Sequence, residues 1–174
     1  MSTRVLVAYA TRYGSTQEVA EAVAATLRER GCEADVQPAG KVRSLEGYNG
    51  VVLGAPLYIG SLLKDAQRFL AQHSQALAER PVAVFALGPT FPDDDLTGAR
   101  AQLDGAMAKV PWLTPVALEM FGGCFDPAKL RFPDTLLTKL AASPLYAKPA
   151  SDMRDWAAIG AWAEQLAAKL AQSA

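Results

Sequence analysis

Residues 4–16 read RVLVAYATRYGST. The first part, Arg4 to Ala10, is a nearly continuous apolar run rich in β-formers. Runs of this kind belong to strands buried on both faces, as in parallel sheets. Thr11-Arg12-Tyr13-Gly14-Ser15-Thr16 then breaks the run with turn-forming residues. Ser15 and Glu18 have the S-x-x-E spacing of a capping box, which predicts a helix starting at this point. Val19, Val23 and Leu27 repeat on one face, and Gly31 follows as a stop signal. The opening of the chain therefore reads as strand, loop, helix.

The same unit recurs along the chain. Glu33–Gln37 is a short second strand, Gly50–Ala55 (GVVLGA) a central third, and Val82–Leu87 (VAVFAL) a fourth. Thr114–Phe121 is a fifth, weakened by Pro115. Pro56-Leu57-Tyr58-Ile59-Gly60 is expected to end the third strand. A helix is expected over Ser61–Ala78, with Leu62, Ala66, Phe69, Leu70 and Leu77 facing inward. Another is expected over Thr97–Lys109. The last is expected over Ser151–Ala171, with Trp156, Ile159, Ala163, Leu166 and Leu170 as its apolar stripe. Strand–helix alternation without a repeat or a linker predicts a single α/β domain over residues 1–174, built on a parallel sheet with helices on both faces. Residues 122–150 form an irregular insertion before the last helix, with a short helix suggested around Leu136, Leu137 and Leu140.

Composition narrows the class. The 174 residues are 51% hydrophobic and 20% charged, as expected of a globular chain, and the net charge of −1 gives no basic surplus for nucleic acid. Cys32 and Cys124 are far apart, and with a single histidine they make no zinc set. Both are expected as buried or half-buried free thiols, suited to a reducing compartment. The start, Met1-Ser2-Thr3-Arg4-Val5, lacks a signal-peptide pattern, and no run approaches the roughly 18 apolar residues that span a bilayer. A cytoplasmic protein is expected, with peripheral contact at the inner face of a membrane compatible with it.

In a parallel α/β sheet, ligands bind at the carboxyl ends of the strands near the topological switch point. That directs attention to the loops after strands one, three and four. The first carries Thr11, Ser15 and Thr16 directly ahead of a helix. A phosphate monoester needs many donors in a small concavity, which hydroxyls and the free N–H groups of a helix start supply. The loop is neither a Walker A sequence nor a G-x-G-x-x-G fingerprint. The residues alone leave open an ordinary helix cap.

The pattern T-x-x-G-x-T after the first strand, here Thr11, Gly14 and Thr16, resembles the FMN-phosphate loop of flavodoxin-like proteins. The resemblance runs on through Gly54-Ala55-Pro56-Leu57-Tyr58-Ile59-Gly60 to the last helix. Arg12 in the loop, Phe121-Gly122-Gly123 ahead of the insertion, and Asp152-x-x-Asp155-Trp156 make it most similar to the menaquinone-dependent protoporphyrinogen IX dehydrogenases of that superfamily. The resemblance implies a doubly wound five-stranded sheet in the order 2-1-3-4-5. It also implies FMN as cofactor, with its phosphate held by Thr11, Arg12, Tyr13, Gly14, Ser15 and Thr16. Arg12 departs from ordinary flavodoxins and is placed to pair with the phosphate. Pro56, Leu57, Tyr58, Ile59 and Gly60 would border one side of the flavin ring. Leu87, Gly88, Pro89, Thr90 and Phe91 would border the other, with Tyr58 and Phe91 as stacking candidates.

No nucleophile or acid–base pair stands out, which fits a protein whose cofactor carries the chemistry. An FMN-dependent oxidoreductase is implied, passing electrons from a reduced substrate to a quinone or similar acceptor. Phe125, Leu130, Phe132 and Leu136 would shape its substrate mouth, where Lys129, Arg131, Lys139 and Lys148 outnumber Asp126 and Asp134. A flavodoxin-type electron carrier and an NAD(P)H-dependent quinone or flavin reductase are the alternatives. The first of these is disfavoured by the near-neutral charge. No metal site is expected, and His73, Trp112, Trp156 and Trp162 read as packing residues.

Overall fold

The computed structural model describes residues 2–173; Met1 and Ala174, and the part of the expected domain that falls on them, lie outside the described residues. Strands β1 (Arg4–Tyr9), β2 (Glu33–Pro38) and β3 (Gly50–Tyr58) come first, with helix α1 (Ser15–Glu29) between β1 and β2. After β3 come the short β4 (Ser61–Leu62), α2 (Lys64–Gln72), α3 (Ser74–Ala78) and β5 (Val82–Leu87). Then follow α4 (Leu96–Ala108), β6 (Ala117–Phe121), β7 (Cys124–Phe125), β8 (Ser151–Asp152) and α5 (Trp156–Gln172).

The main sheet has the order β2-β1-β3-β5-β6, with every pairing on that path parallel. This is the expected 2-1-3-4-5 order of a doubly wound α/β fold. Side-chain alternation in the central strands builds two apolar layers. Val5, Val7 and Tyr9 of β1, with Ala83, Phe85 and Leu87 of β5, pack against α1 and α5. Leu6 and Ala8, with Val82, Val84 and Ala86, face the opposite way toward α2 and α4. Strands covered on both faces have no polar side, which explains the unbroken apolar runs. Trp162 of α5 closes the first layer, its ring edge-on to Phe85 at 5.9 Å and to Phe121 at 5.8 Å.

Several boundaries differ from those expected. Pro56 does not end β3, which runs on to Tyr58. The chain then turns through Ile59 (φ 48°) and Gly60 (φ 69°), and Ser61 and Leu62 fold back antiparallel on Tyr58 and Leu57. Positive φ at both central residues is the two-residue hairpin turn whose twist matches paired strands. The expected helix over Ser61–Ala78 therefore starts only at Lys64 and breaks at His73, whose Nε2 lies 3.2 Å from the Val42 carbonyl oxygen. The fifth strand starts at Ala117 rather than Thr114. Its neighbour Pro115 has no N–H to give a ladder.

The last helix starts at Trp156, not Ser151. Ser151 and Asp152 pair as β8 with β7, and Asp155 caps the helix by accepting the Ala158 N–H at 3.0 Å. Trp156 is not part of the buried stripe; it is 44% exposed, with the Arg154 guanidinium 4.8 Å above its ring. The short helix in the insertion is a 3₁₀ turn over Asp134–Thr138. Cys32 is buried and Cys124 half-buried, both as free thiols. No helix among the described residues is long and apolar enough to cross a membrane.

Candidate functional site

The loop between β1 and α1 wraps a small concavity. Gly14 stands at the N-cap of α1 with φ 93°, a left-handed conformation that costs a residue with a Cβ about 1–2 kcal/mol. Its N–H donates to Thr11 Oγ1 at 2.8 Å. No side chain caps α1, so the expected Ser15–Glu18 capping box is absent. Glu18 is instead drawn to Arg154 at 2.8 Å. The backbone N–H groups of Arg12, Tyr13, Ser15, Thr16 and Gln17 find no acceptor among the described residues. Thr16 is 0% exposed, and its Oγ1 is buried without a hydrogen-bond partner. A buried hydroxyl left unpaired costs about 1–3 kcal/mol, so it asks for a ligand. Unpaired donors, a helix start and an orphaned hydroxyl together form a cradle for an anion.

Two cavities meet at this loop. One, of about 480 Å³, is lined by Arg12, Tyr13 and Ser15 from the loop, Tyr58 and Ile59 from the hairpin tip, and Thr90 after β5. The insertion and its return supply the rest, including Phe125, Leu130, Leu137, Leu145 and Arg154. The other, of about 490 Å³, is lined by Thr11, Arg12, Tyr13, Gly14 and Gln17, with Lys129 and Arg131. Arg12, Tyr13 and Lys129 border both. Each volume falls in the range that binds a cofactor or small ligand.

Of the expected site residues, the structure brings Thr11, Arg12, Tyr13, Gly14, Ser15, Tyr58, Ile59 and Thr90 to these cavities, with Thr16 buried beneath the loop. Pro56 and Leu87 are buried in the sheet. Leu57 pairs with Leu62, and Gly60 completes the turn. Gly88 donates its N–H to the Phe121 carbonyl, and the Pro89 carbonyl accepts from Gly123 N–H at 2.6 Å. Pro89 and Phe91 border a separate cavity on the side of Met153 and Asp155. Phe91 is already engaged, its ring 5.2 Å from Phe125 and 4.9 Å beneath the Lys148 ammonium. Of the two stacking candidates, that leaves Tyr58 open to the cavity it lines with Arg12, Ile59 and Thr90. Surrounding protein raises its phenol pKa, although 45% of the residue stays exposed, and Arg12 opposes the rise.

Arg12 has a partner within the chain. Its Nη2 lies 2.6 Å from the Asp134 carboxylate, which also accepts the Tyr13 hydroxyl. The insertion thus reaches back onto the loop. That Asp134, Cys124, Leu137, Leu145 and Arg154 gather at this site was not readable from the sequence, since nothing in their spacing points to a loop more than a hundred residues upstream. Arg154 anchors the return. Its guanidinium, 7% exposed, donates to Asp152 at 2.7 Å, Glu18 at 2.8 Å and the Ser15 carbonyl at 3.2 Å. These bonds raise its own pKa and hold the Asp152 carboxyl below the usual range.

A family described as Flavodoxin domain matches residues 6–152. A protoporphyrinogen IX dehydrogenase [quinone] of Escherichia coli strain K12 is 31% identical over 86 residues, a stretch spanning 48% of each chain. The match thus covers about half the length of that relative. Among solved structures, a short-chain flavodoxin associated with a bacterial microcompartment superposes with a TM-score of 0.61 at 16% identity, covering 99% of this chain and 98% of that one. A WrbA-like flavodoxin from Agrobacterium tumefaciens gives 0.60 at 15% identity, covering 99% and 100%. At these identities the superpositions speak for the fold.

Proposed function

The chain belongs to the flavodoxin domain family, and from that premise we propose that it binds FMN in the joined cavities and acts as an FMN-dependent oxidoreductase. The observation that carries the proposal is Thr16. Its buried, unpartnered hydroxyl lies at a helix start whose N–H groups are also free, which suits a phosphate. Thr11, Ser15 and Thr16 and the loop N–H groups would hold that phosphate. Arg12, Tyr13 and Gly14 shape the loop around it.

Bound FMN supplies the redox chemistry, accepting an electron pair from a reduced donor and releasing it to an acceptor. The chain's part is to position and enclose. Tyr58 and Ile59 offer a face at the hairpin tip, Thr90 an edge after β5, and Phe125 and Leu130 an apolar wall that excludes water. The likeness to the Escherichia coli enzyme supports protoporphyrinogen as donor and a quinone as acceptor. Exposed Phe132, Leu140 and Tyr146 in the insertion suit peripheral contact with a membrane, where quinones dissolve.

The test is optical. The protein titrated with FMN is expected to quench flavin fluorescence at a one-to-one stoichiometry and to shift the visible band. Anaerobic addition of protoporphyrinogen should then bleach the band, and a menaquinone analogue should restore it. Failure to bind FMN overturns the whole reading. Binding without bleaching by protoporphyrinogen overturns the substrate.

A further inference from the structure

We propose that Lys129 and Arg131, carried by the insertion, form the cationic half of the phosphate site and read the double negative charge of the cofactor's phosphate. The inference rests on the FMN reading above and adds residues that the β1–α1 loop does not contain. The loop's own cation is already spent, because Arg12 is ion-paired with Asp134 at 2.6 Å and the pair sums to zero charge. A phosphate monoester carries a charge of roughly −1.5 to −2 near neutral pH. Hydroxyls and N–H groups solvate that charge but do not neutralise it.

Two cations face the same cavity as Thr11, Tyr13, Gly14 and Gln17, and both come from the insertion. Neither Lys129 nor Arg131 makes an ion pair among the described residues. The carboxylates nearest them in sequence are committed elsewhere: Asp126 accepts the Ala128 N–H at 3.0 Å, and Asp134 holds Arg12 and Tyr13. No carboxylate lines that cavity. Asp134, three residues beyond Arg131, holds both the Tyr13 hydroxyl and Arg12, which ties this stretch of the insertion to the loop. Two uncompensated positive charges therefore face the unpaired donors of the loop, and a phosphate dianion matches them in number and sign.

The closing experiment compares FMN with riboflavin, which has the same ring and no phosphate. Binding of each to the wild type and to the K129Q/R131Q variant is followed by flavin fluorescence at low and high salt. The expected result is a loss of about tenfold in FMN affinity in the variant, with the riboflavin affinity moving much less, as befits loss of charge-assisted contacts. The FMN preference should also shrink with salt in the wild type and shrink less in the variant. An unchanged FMN-to-riboflavin ratio in a folded variant overturns the inference while leaving the flavin reading intact. An equal loss for both flavins also overturns it, since it assigns the two residues to the ring or to packing. If the wild type binds neither flavin, the FMN reading itself fails. Titration of the unloaded protein with inorganic phosphate, with and without the two cations, then decides the anion site by itself.

Discussion

Asp134 and Arg12 meet at 2.6 Å across 122 positions of sequence, joining the insertion to the loop between β1 and α1. The carboxylate takes both the guanidinium and the Tyr13 hydroxyl, so one side chain holds two residues of the loop. It also places a negative charge beside the site proposed for a phosphate.

Replacing that carboxylate by its neutral isostere separates the two effects. Asp134→Asn keeps an acceptor for Tyr13 and frees the Arg12 charge. FMN affinity is expected to rise several-fold, by about 1 kcal/mol, as for a partly exposed charge beside a phosphate. Flavin fluorescence titration checks it. A fall in affinity would mean that anchoring the insertion matters more than the charge.

Thr16→Val should move stability and binding in opposite directions. The substitution keeps shape and removes a buried hydroxyl that has no partner. The unliganded protein should gain about 1 kcal/mol, because a desolvated, unpaired group disappears. FMN affinity should drop by about tenfold with the loss of a donor to the phosphate. Urea unfolding of the unloaded chain, set beside a flavin titration, reads both signs.

How much of this was legible in the sequence depends on whether local chemistry carries it. Val5, Val7, Val52 and Phe85 lie in apolar runs that announce a doubly covered sheet, whereas the order of its strands came from the family resemblance and not from the runs themselves. Thr11, Gly14 and Thr16 stood out because a turn, a helix start and hydroxyls coincide within a few residues. Ser61 and Leu62 did not, because their helical spacing is overridden by a turn at Ile59 and Gly60 that pulls them into a hairpin. Lys129 and Arg131 read from the sequence as part of a substrate mouth, and their approach to the β1–α1 loop, like that of Asp134, follows only from the path of the insertion. Ordinary charged residues in a loop give no sign of which distant segment they will reach.

Ile59 combines a β-branched side chain with φ 48° at a fully exposed tip. Ile59→Gly relieves the left-handed strain without uncovering buried surface. It is expected to stabilise the unliganded chain by about 1 kcal/mol. Because Ile59 borders the same cavity as Tyr58 and Thr90, FMN and riboflavin should both bind more weakly, which distinguishes a wall residue from a phosphate contact. Thermal unfolding and the two titrations decide it.

Acid should weaken the fold through two carboxylates. Hydrogen bonds from Tyr48 and Arg4 hold the Asp35 carboxyl below its ordinary value, and Arg154 does the same for Asp152. A carboxyl whose folded pKa is depressed contributes stability that is complete above its unfolded pKa, about 3.9 for Asp. That contribution is lost as pH falls through the folded value. Unfolding free energy is therefore expected to be flat with respect to these two groups near neutrality and to fall below about pH 4. Asp35→Asn and Asp152→Asn should each flatten the acid limb, as followed by urea midpoints across pH.

The pairing of β7 with β8 gives the insertion a neck. Cys124 and Phe125 are bonded to Asp152 and Ser151, and the Met153 N–H donates to the Gly123 carbonyl at 2.8 Å. Everything between, residues 126–150, leaves the sheet and returns to it through one gate. A loop whose ends are already joined can change length cheaply, since each doubling costs only about 0.6 kcal/mol in closure entropy. The segment therefore behaves as a cassette. Its contents can be shortened, exchanged or grafted from one chain to another while the parallel sheet keeps its register. The segment's length and sequence are then free to diverge while the sheet beneath it stays constant.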